Sequence, residues 1–218
     1  MELTAKQLKI VEHYLNIKDI TYIDIRMEVF DHIVSDIEAK MVTENLDFET
    51  AFKNVKYKWS KHFRDSSSLY FGVMYSAPKI VIEKAKKSFS SLFFIGTFSM
   101  FFILISIDNF QFIFSENLQN TINFLFKSVS VLCLFCLLFI YYKNSKIDQK
   151  STHSFILKTQ FLTVFFSLLP ILIPSYFTNE DSLDSFYVLM LFVSILSTFT
   201  CCIFFKKHKE TIKKYKIY

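Results

Sequence analysis

Glycine is almost missing from this chain. Its 218 residues include only Gly72 and Gly96. That scarcity leaves no glycine-rich loop to cradle a phosphate, no dinucleotide fingerprint, no nucleophile elbow and no GxxxG packing face. Nucleotide-driven transport by this chain alone is therefore not expected. Histidine is present but scattered: His13, His32, His62, His153 and His208 contain no i, i+4 pair, so no zinc site is indicated. The four cysteines, Cys133, Cys136, Cys201 and Cys202, all lie in apolar runs. None sits where an extracytoplasmic disulfide framework would be expected, and the two sets are expected at different membrane depths. No constellation of nucleophile, base and oxyanion donors stands out, so neither an enzyme nor a cofactor is expected.

What the chain does have is long apolar runs. From Phe89 to Ile107 there is no charge, about 19 residues, the length an α-helix needs to cross ~30 Å of hydrocarbon. Three more runs follow, at 121–142, 155–177 and 185–205. The expected fold is all-α, with a three-helix bundle in residues 1–77, four transmembrane helices in 78–206 and a basic tail in 207–218. The start, MELTAKQLKIVEHYLN, lacks the apolar core of a secretory signal, so the first span is expected to serve as its own insertion signal.

Charge on the connections sets the expected orientation. Lys79, Lys84, Lys86 and Lys87 precede span one, whereas the first loop holds Asp108 and Glu116 with no Lys or Arg. Lysines return at Lys143, Lys146, Lys150 and Lys158; the TNEDSLD loop is acidic, and the tail KKHKETIKKYKIY is basic. This alternation follows the positive-inside rule, so both termini are expected in the cytoplasm. The lysine-rich tail, with Ile212, Tyr215, Ile217 and Tyr218, is expected to contact anionic lipid.

Residues 1–77 read as three amphipathic helices. Thr4-x-x-Gln7 forms a capping box with Leu3 and Leu8 as staple. Thr21-x-x-Asp24 repeats the device, and Asp47 caps the third helix. In the second helix, Ile23, Met27, Phe30, Val34, Ile37 and Met41 recur at spacings of three and four, which predicts one buried seam. An acidic stripe, Asp24, Glu28, Asp31 and Glu38, runs beside it. The third helix buries Phe48, Phe52, Val55, Trp59 and Phe63 and carries Lys53, Lys56, Lys61 and Arg64 outside. The two charge stripes are either solvated faces or partners across the helix pair, each such pair contributing only ~0–1 kcal/mol. DNA binding is not expected, because acidic residues outnumber basic ones up to Tyr75. Ahead of the first span, Leu69 to Tyr75 form an aromatic-rich patch that either sits at the membrane interface or packs on the bundle. Pro78 then suits the first turn of a new helix.

The order of a capped first helix, IRMEVFDHIVSDIEAKM with Asp31-His32, and DFETAFKNV with Glu49 and Ala51 resembles the helical modules that precede membrane spans in bacterial HAAS-type proteins. The resemblance covers residues 3–63, and the family's Leu-Gly-x-Pro ending is absent. It implies a cytoplasmic sensing or docking module partnered with a PadR-like transcription regulator, and it brings no catalytic residues.

Within the spans the candidates are few. Lys127 is the clear ionisable residue, and an intramembrane charge is a functional candidate by default. It lies near the outer end of span two, where it can snorkel to the surface or pair with Glu116 or Asp184. Pro170 and Pro174 predict a kink toward the outer end of span three. The leading expectation is a bilayer-anchored protein whose cytoplasmic module docks a protein partner, possible docking residues being Asp24, Glu28, Asp31 and Glu38. The alternative is a small transporter or permease subunit with Lys127, Pro170 and Pro174 on its path. Oligomeric state is left open.

Overall fold

In the computed structural model, residues 2–109 and 112–215 are described. Helices α1 (Ala5–Ile17), α2 (Ile23–Thr43) and α3 (Phe48–Ser60) precede a hairpin of β1 (Asp65–Ser68) and β2 (Gly72–Pro78). Then come α4 (Lys79–Asn109), α5 (Glu116–Ser145), α6 (Thr152–Thr159), α7 (Thr163–Leu172) and α8 (Ser185–Tyr215). Four helical stretches, with α6 and α7 taken together, are long and apolar enough to cross a membrane. The chain is an all-α, multi-pass membrane protein. It divides into two compact units. The first contains the chain up to Lys87, Asp148–Phe155 and the tail from Lys207; the second contains Ser88–Ile147 and Ile156–Lys206. The basic loop and tail therefore belong to the N-terminal module's unit, so that unit is larger than residues 1–77. Ile217 and Tyr218 of the tail lie outside the described residues.

In the first unit, the Thr4 capping box forms: Thr4 Oγ1 accepts from Gln7 N, and Gln7 Oε1 accepts from Thr4 N. Asp47 likewise caps α3, accepting from the backbone N–H groups of Glu49 and Thr50. The core gathers Val11, Leu15, Ile25, Val29, Ile33, Ile37, Ala51 and Val55, all fully buried or nearly so. Burying such side chains contributes ~1.5–3 kcal/mol each for the larger ones, and this holds short helices that would be marginal alone.

Two expectations for α2 are corrected. Its deepest column is Ile25, Val29, Ile33, Ile37 and Met41, whereas Ile23, Met27, Phe30 and Val34 are half-buried flank. The helix carries two adjacent apolar columns, and spacing alone does not say which faces its neighbours. Thr21 does not cap it either. Tyr22 is the N-cap residue and makes no side-chain cap bond, and the Ile23 N–H donates instead to the Lys150 carbonyl at 2.9 Å.

The segment after α3 is a strand pair. β1 and β2 run antiparallel, pairing Asp65 with Pro78, Ser66 with Ala77 and Ser68 with Gly72. Gly72 has φ +83°, a turn conformation open to glycine at little cost. Pro78 ends β2, one residue before α4, rather than entering the helix. The first N–H groups of α4 are satisfied by the preceding chain: Lys79 donates to the Arg64 carbonyl and Ile80 to the His62 carbonyl. Phe71 is buried edge-on against Phe155, whereas Leu69, Val73 and Met74 are exposed. The aromatic patch thus divides, one ring entering the core and the aliphatic tip facing outward.

In the second unit, the two acidic connections meet. Phe114 N donates to the Asp181 carbonyl, and the Gln119 side chain donates to Asp181 Oδ1 at 2.8 Å. Beneath them Ile173, Tyr176, Phe177 and Leu191 form a small buried core. Span three is not one helix over 155–177. It breaks at 160–162, between α6 and α7, and helix ends altogether at Leu172.

Candidate functional site

A buried polar cluster lies in the first unit, at the start of α2. Asp24 is 4% exposed. Its Oδ1 accepts from the Thr152 backbone N–H at 2.9 Å, which satisfies an otherwise free donor at the N-terminus of α6. Its Oδ2 stands 3.4 Å from Lys84 Nζ, which also meets Glu28 Oε2 at 2.7 Å. Burial alone would push the Lys84 ammonium's pKa down, but the Glu28 and Asp24 carboxylates outweigh it and hold that pKa above its ordinary value.

Next to this pairing, His208 is fully enclosed and its Nδ1 lies 2.8 Å from Ser151 Oγ. It follows the apolar run that ends at Phe205. Burial first, and the neighbouring His153 second, push its pKa down to about 4 against the opposing pull of Asp24. Burial lowers His153 as well, with Asp24 opposing and Lys207 and Lys84 adding to the fall. The cluster gathers groups from α2, α4, the loop after α5, α6 and α8, and it acts as a clamp. Nothing in the sequence pairs Asp24 with Thr152, 128 positions away.

The acidic stripe is not one free surface. Asp24 is buried and Glu28 is held by Lys84, while Glu38 Oε1 accepts from Leu3 N at 2.9 Å. Asp31 alone remains exposed with no bond of its own described. The stripe does not pair with the lysines of α3 either. The bridge between α2 and α3 uses Asp36, whose Oδ2 accepts from Lys58 Nζ at 2.9 Å and Trp59 Nε1 at 3.0 Å. Those bonds outweigh burial and hold the Asp36 carboxyl below the usual range. On the outer side of α3 a groove of about 800 Å³ is lined by lysines and two tyrosines, with no carboxylate among its lining residues.

In the second unit, the prolines and Lys127 are brought together. Pro174 has no N–H to offer the Pro170 carbonyl; the Tyr176 hydroxyl donates to that oxygen instead, at 2.7 Å. The Tyr176 N–H donates to Asn123 Oδ1 at 2.9 Å, and Asn123 Nδ2 donates to Ser175 Oγ at 3.3 Å. Lys127 Nζ donates to the Pro174 carbonyl at 3.0 Å. It thus pairs with a backbone oxygen exposed by the broken helix, not with Glu116 or Asp184. Asn123 is the residue that sequence reasoning missed. Its signal was an amide one turn before Lys127 in an otherwise apolar span.

The cysteines differ from expectation too. Cys136 Sγ and Cys202 Sγ are 3.8 Å apart, so those two thiols share one depth. Among the described residues no group of three or more His, Cys, Asp or Glu is arranged to hold a metal ion.

No family model, curated protein or solved structure matches the chain.

Proposed function

We propose that this is a non-enzymatic docking protein of the bacterial cytoplasmic membrane. Its spans anchor it in the bilayer, and its helical module lies in the cytoplasm and presents a surface to a soluble protein partner in signalling or regulation. One observation carries the reading. The three lysine-bearing segments (the module with its approach to α4, the loop at 148–155, and the tail) form a single compact unit, in which Asp24 meets Lys84 and Thr152 and Ser151 meets His208. By the positive-inside rule that unit faces the cytoplasm. The HAAS-type resemblance makes a PadR-like regulator the first partner to try. Lys127 supports an architectural role more than a transport path, because its ammonium is engaged by the Pro174 carbonyl.

The test uses the full chain in living cells. Alkaline phosphatase fused at Tyr218 should be inactive, and the same enzyme inserted after Asp181 should be active. A photo-crosslinking residue at Asp31 or Tyr57 should capture one cytoplasmic protein reproducibly. An active Tyr218 fusion, or capture of lipid alone at both positions, overturns the reading.

A further inference from the structure

The outer groove of the module has a chemistry that selects its ligand. Five lysines converge on it: Lys18 after α1, Lys40 on α2, and Lys53, Lys56 and Lys58 on α3. Two of them already have acidic partners, Lys40 with Glu44 and Lys58 with Asp36. Lys56 lies over the rings of Tyr14 and Phe52, 5.4 and 5.5 Å from their centroids. Lys18 and Lys53 are exposed, and Tyr57 is 85% exposed at the groove's edge. The groove thus sets the rings of Tyr14 and Tyr57 among five lysines, a combination suited to an anion that also carries apolar side chains.

Charge outside the groove narrows the choice. Residues 1–87 contain 14 Lys and Arg against 13 Asp and Glu, and with the five groove lysines set aside the balance is 9 against 13, so within this stretch the patch is a basic island on an acidic module. A long polyanion such as duplex DNA draws its affinity from an extended basic face, which this module lacks. The patch suits a short anionic segment.

Resting on the docking reading above, we infer that the groove between α1, α2 and α3 binds an acidic peptide segment of the soluble partner, with carboxylates on Lys18 and Lys53 and an apolar side chain against Tyr57.

The probe is a short fluorescein-labelled peptide alternating Glu with Phe, titrated by anisotropy against the full chain in zwitterionic nanodiscs. Binding should weaken at least about tenfold in the double variant Lys18→Glu/Lys53→Glu, and also when Gln replaces Glu in the peptide; added salt should weaken it as well. Lys9→Glu, a reversal of an exposed lysine outside the groove, should change affinity less than about twofold. An unchanged Trp59 emission spectrum checks that the variants remain folded. The inference is overturned if the peptide does not bind, if the double variant binds it equally well, or if a single-stranded oligonucleotide or phosphatidylglycerol vesicle binds the same lysines more tightly. Failure here with an inactive Tyr218 fusion sinks only the groove, whereas an active fusion sinks the docking reading itself.

Discussion

The clamp at Asp24 and the proline break near Lys127 meet one requirement with different chemistry. Each supplies partners to backbone groups that a helix end or a broken helix leaves free. In the first unit the supplier is a charged set: Asp24 accepts from Thr152 N and is balanced by Lys84, which reaches Glu28. In the second the work falls mainly to neutral groups, the Asn123 amide and the Tyr176 hydroxyl, with Lys127 as the one cation. The contrast follows the surroundings. Lys84 and Glu28 keep part of their surface in contact with solvent, side chains 35% and 51% exposed, so the charges there are only partly stripped of water. Inside an apolar segment an amide or hydroxyl satisfies the same backbone groups without that cost.

The comparison is broken most forcefully at Asp24. Asp24→Ala leaves the Thr152 N–H without an acceptor at a buried position and removes one of Lys84's two carboxylates. Losing one member of a buried charged pair costs ~3–5 kcal/mol, and the exposure of Lys84 places this case near ~3 kcal/mol. Trp59, the sole tryptophan, sits in the first unit and reports on it. Its fluorescence transition in a denaturant titration of the full chain should move to clearly lower denaturant. Asp24→Asn keeps an acceptor for Thr152 and should recover part of the loss. A variant Asp24→Ala with an unchanged Trp59 transition would mean that the clamp contributes nothing.

A middle-sized effect belongs to Asn123. Asn123→Ala strands the Tyr176 N–H in a buried setting, at ~1–2 kcal/mol, the lower part of the range for an orphaned buried donor. Because the change lies in the second unit, it should raise maleimide labelling of Cys136 and Cys202 in mild detergent while the Trp59 transition stays put. If the Trp59 transition shifts as far as it does for Asp24→Ala, the two clusters are not separate devices.

Much of this arrangement was legible in the sequence, and the limits are physical. Thr4 and Asp47 were readable as caps because their partners lie within three residues, and the spans because length and charge suffice. Thr21 was misread as a cap because the competing acceptor for Ile23 N–H is the Lys150 carbonyl, which no local pattern reveals. The hairpin at 65–78 escaped notice because serines and aromatics there lack clean alternation, although Gly72 marked its turn. The burial of Asp24 was invisible for a similar reason: a carboxylate beside an apolar seam looks solvated until Thr152 and Lys84 close over it. The proline pair marked the region where α7 ends at Leu172, whereas the break at 160–162 has no proline to signal it. Which side chains would repair the end at Leu172 depended on α5 lying against α7, and that was not written in either segment.

Lys127 sharpens the comparison through the smallest expected change. Lys127→Met keeps most of the stem's packing and loses the bond to the Pro174 carbonyl, a charged hydrogen bond of ~1.5–3 kcal/mol when fully formed. It also removes a cation from an apolar helix, a burden of ~2.5–3.5 kcal/mol at the bilayer centre and less toward the end. The two terms oppose each other at similar size, so the net change in stability should stay within ~1 kcal/mol. Asp24→Ala has no such offset, since the Thr152 N–H it orphans remains buried. Denaturant midpoints of the two variants, measured side by side in one lipid, should therefore differ clearly. A loss for Lys127→Met as large as that for Asp24→Ala would show that the second unit also depends on a committed charge. That outcome would return Lys127, Pro170 and Pro174 to consideration as an ion-handling path.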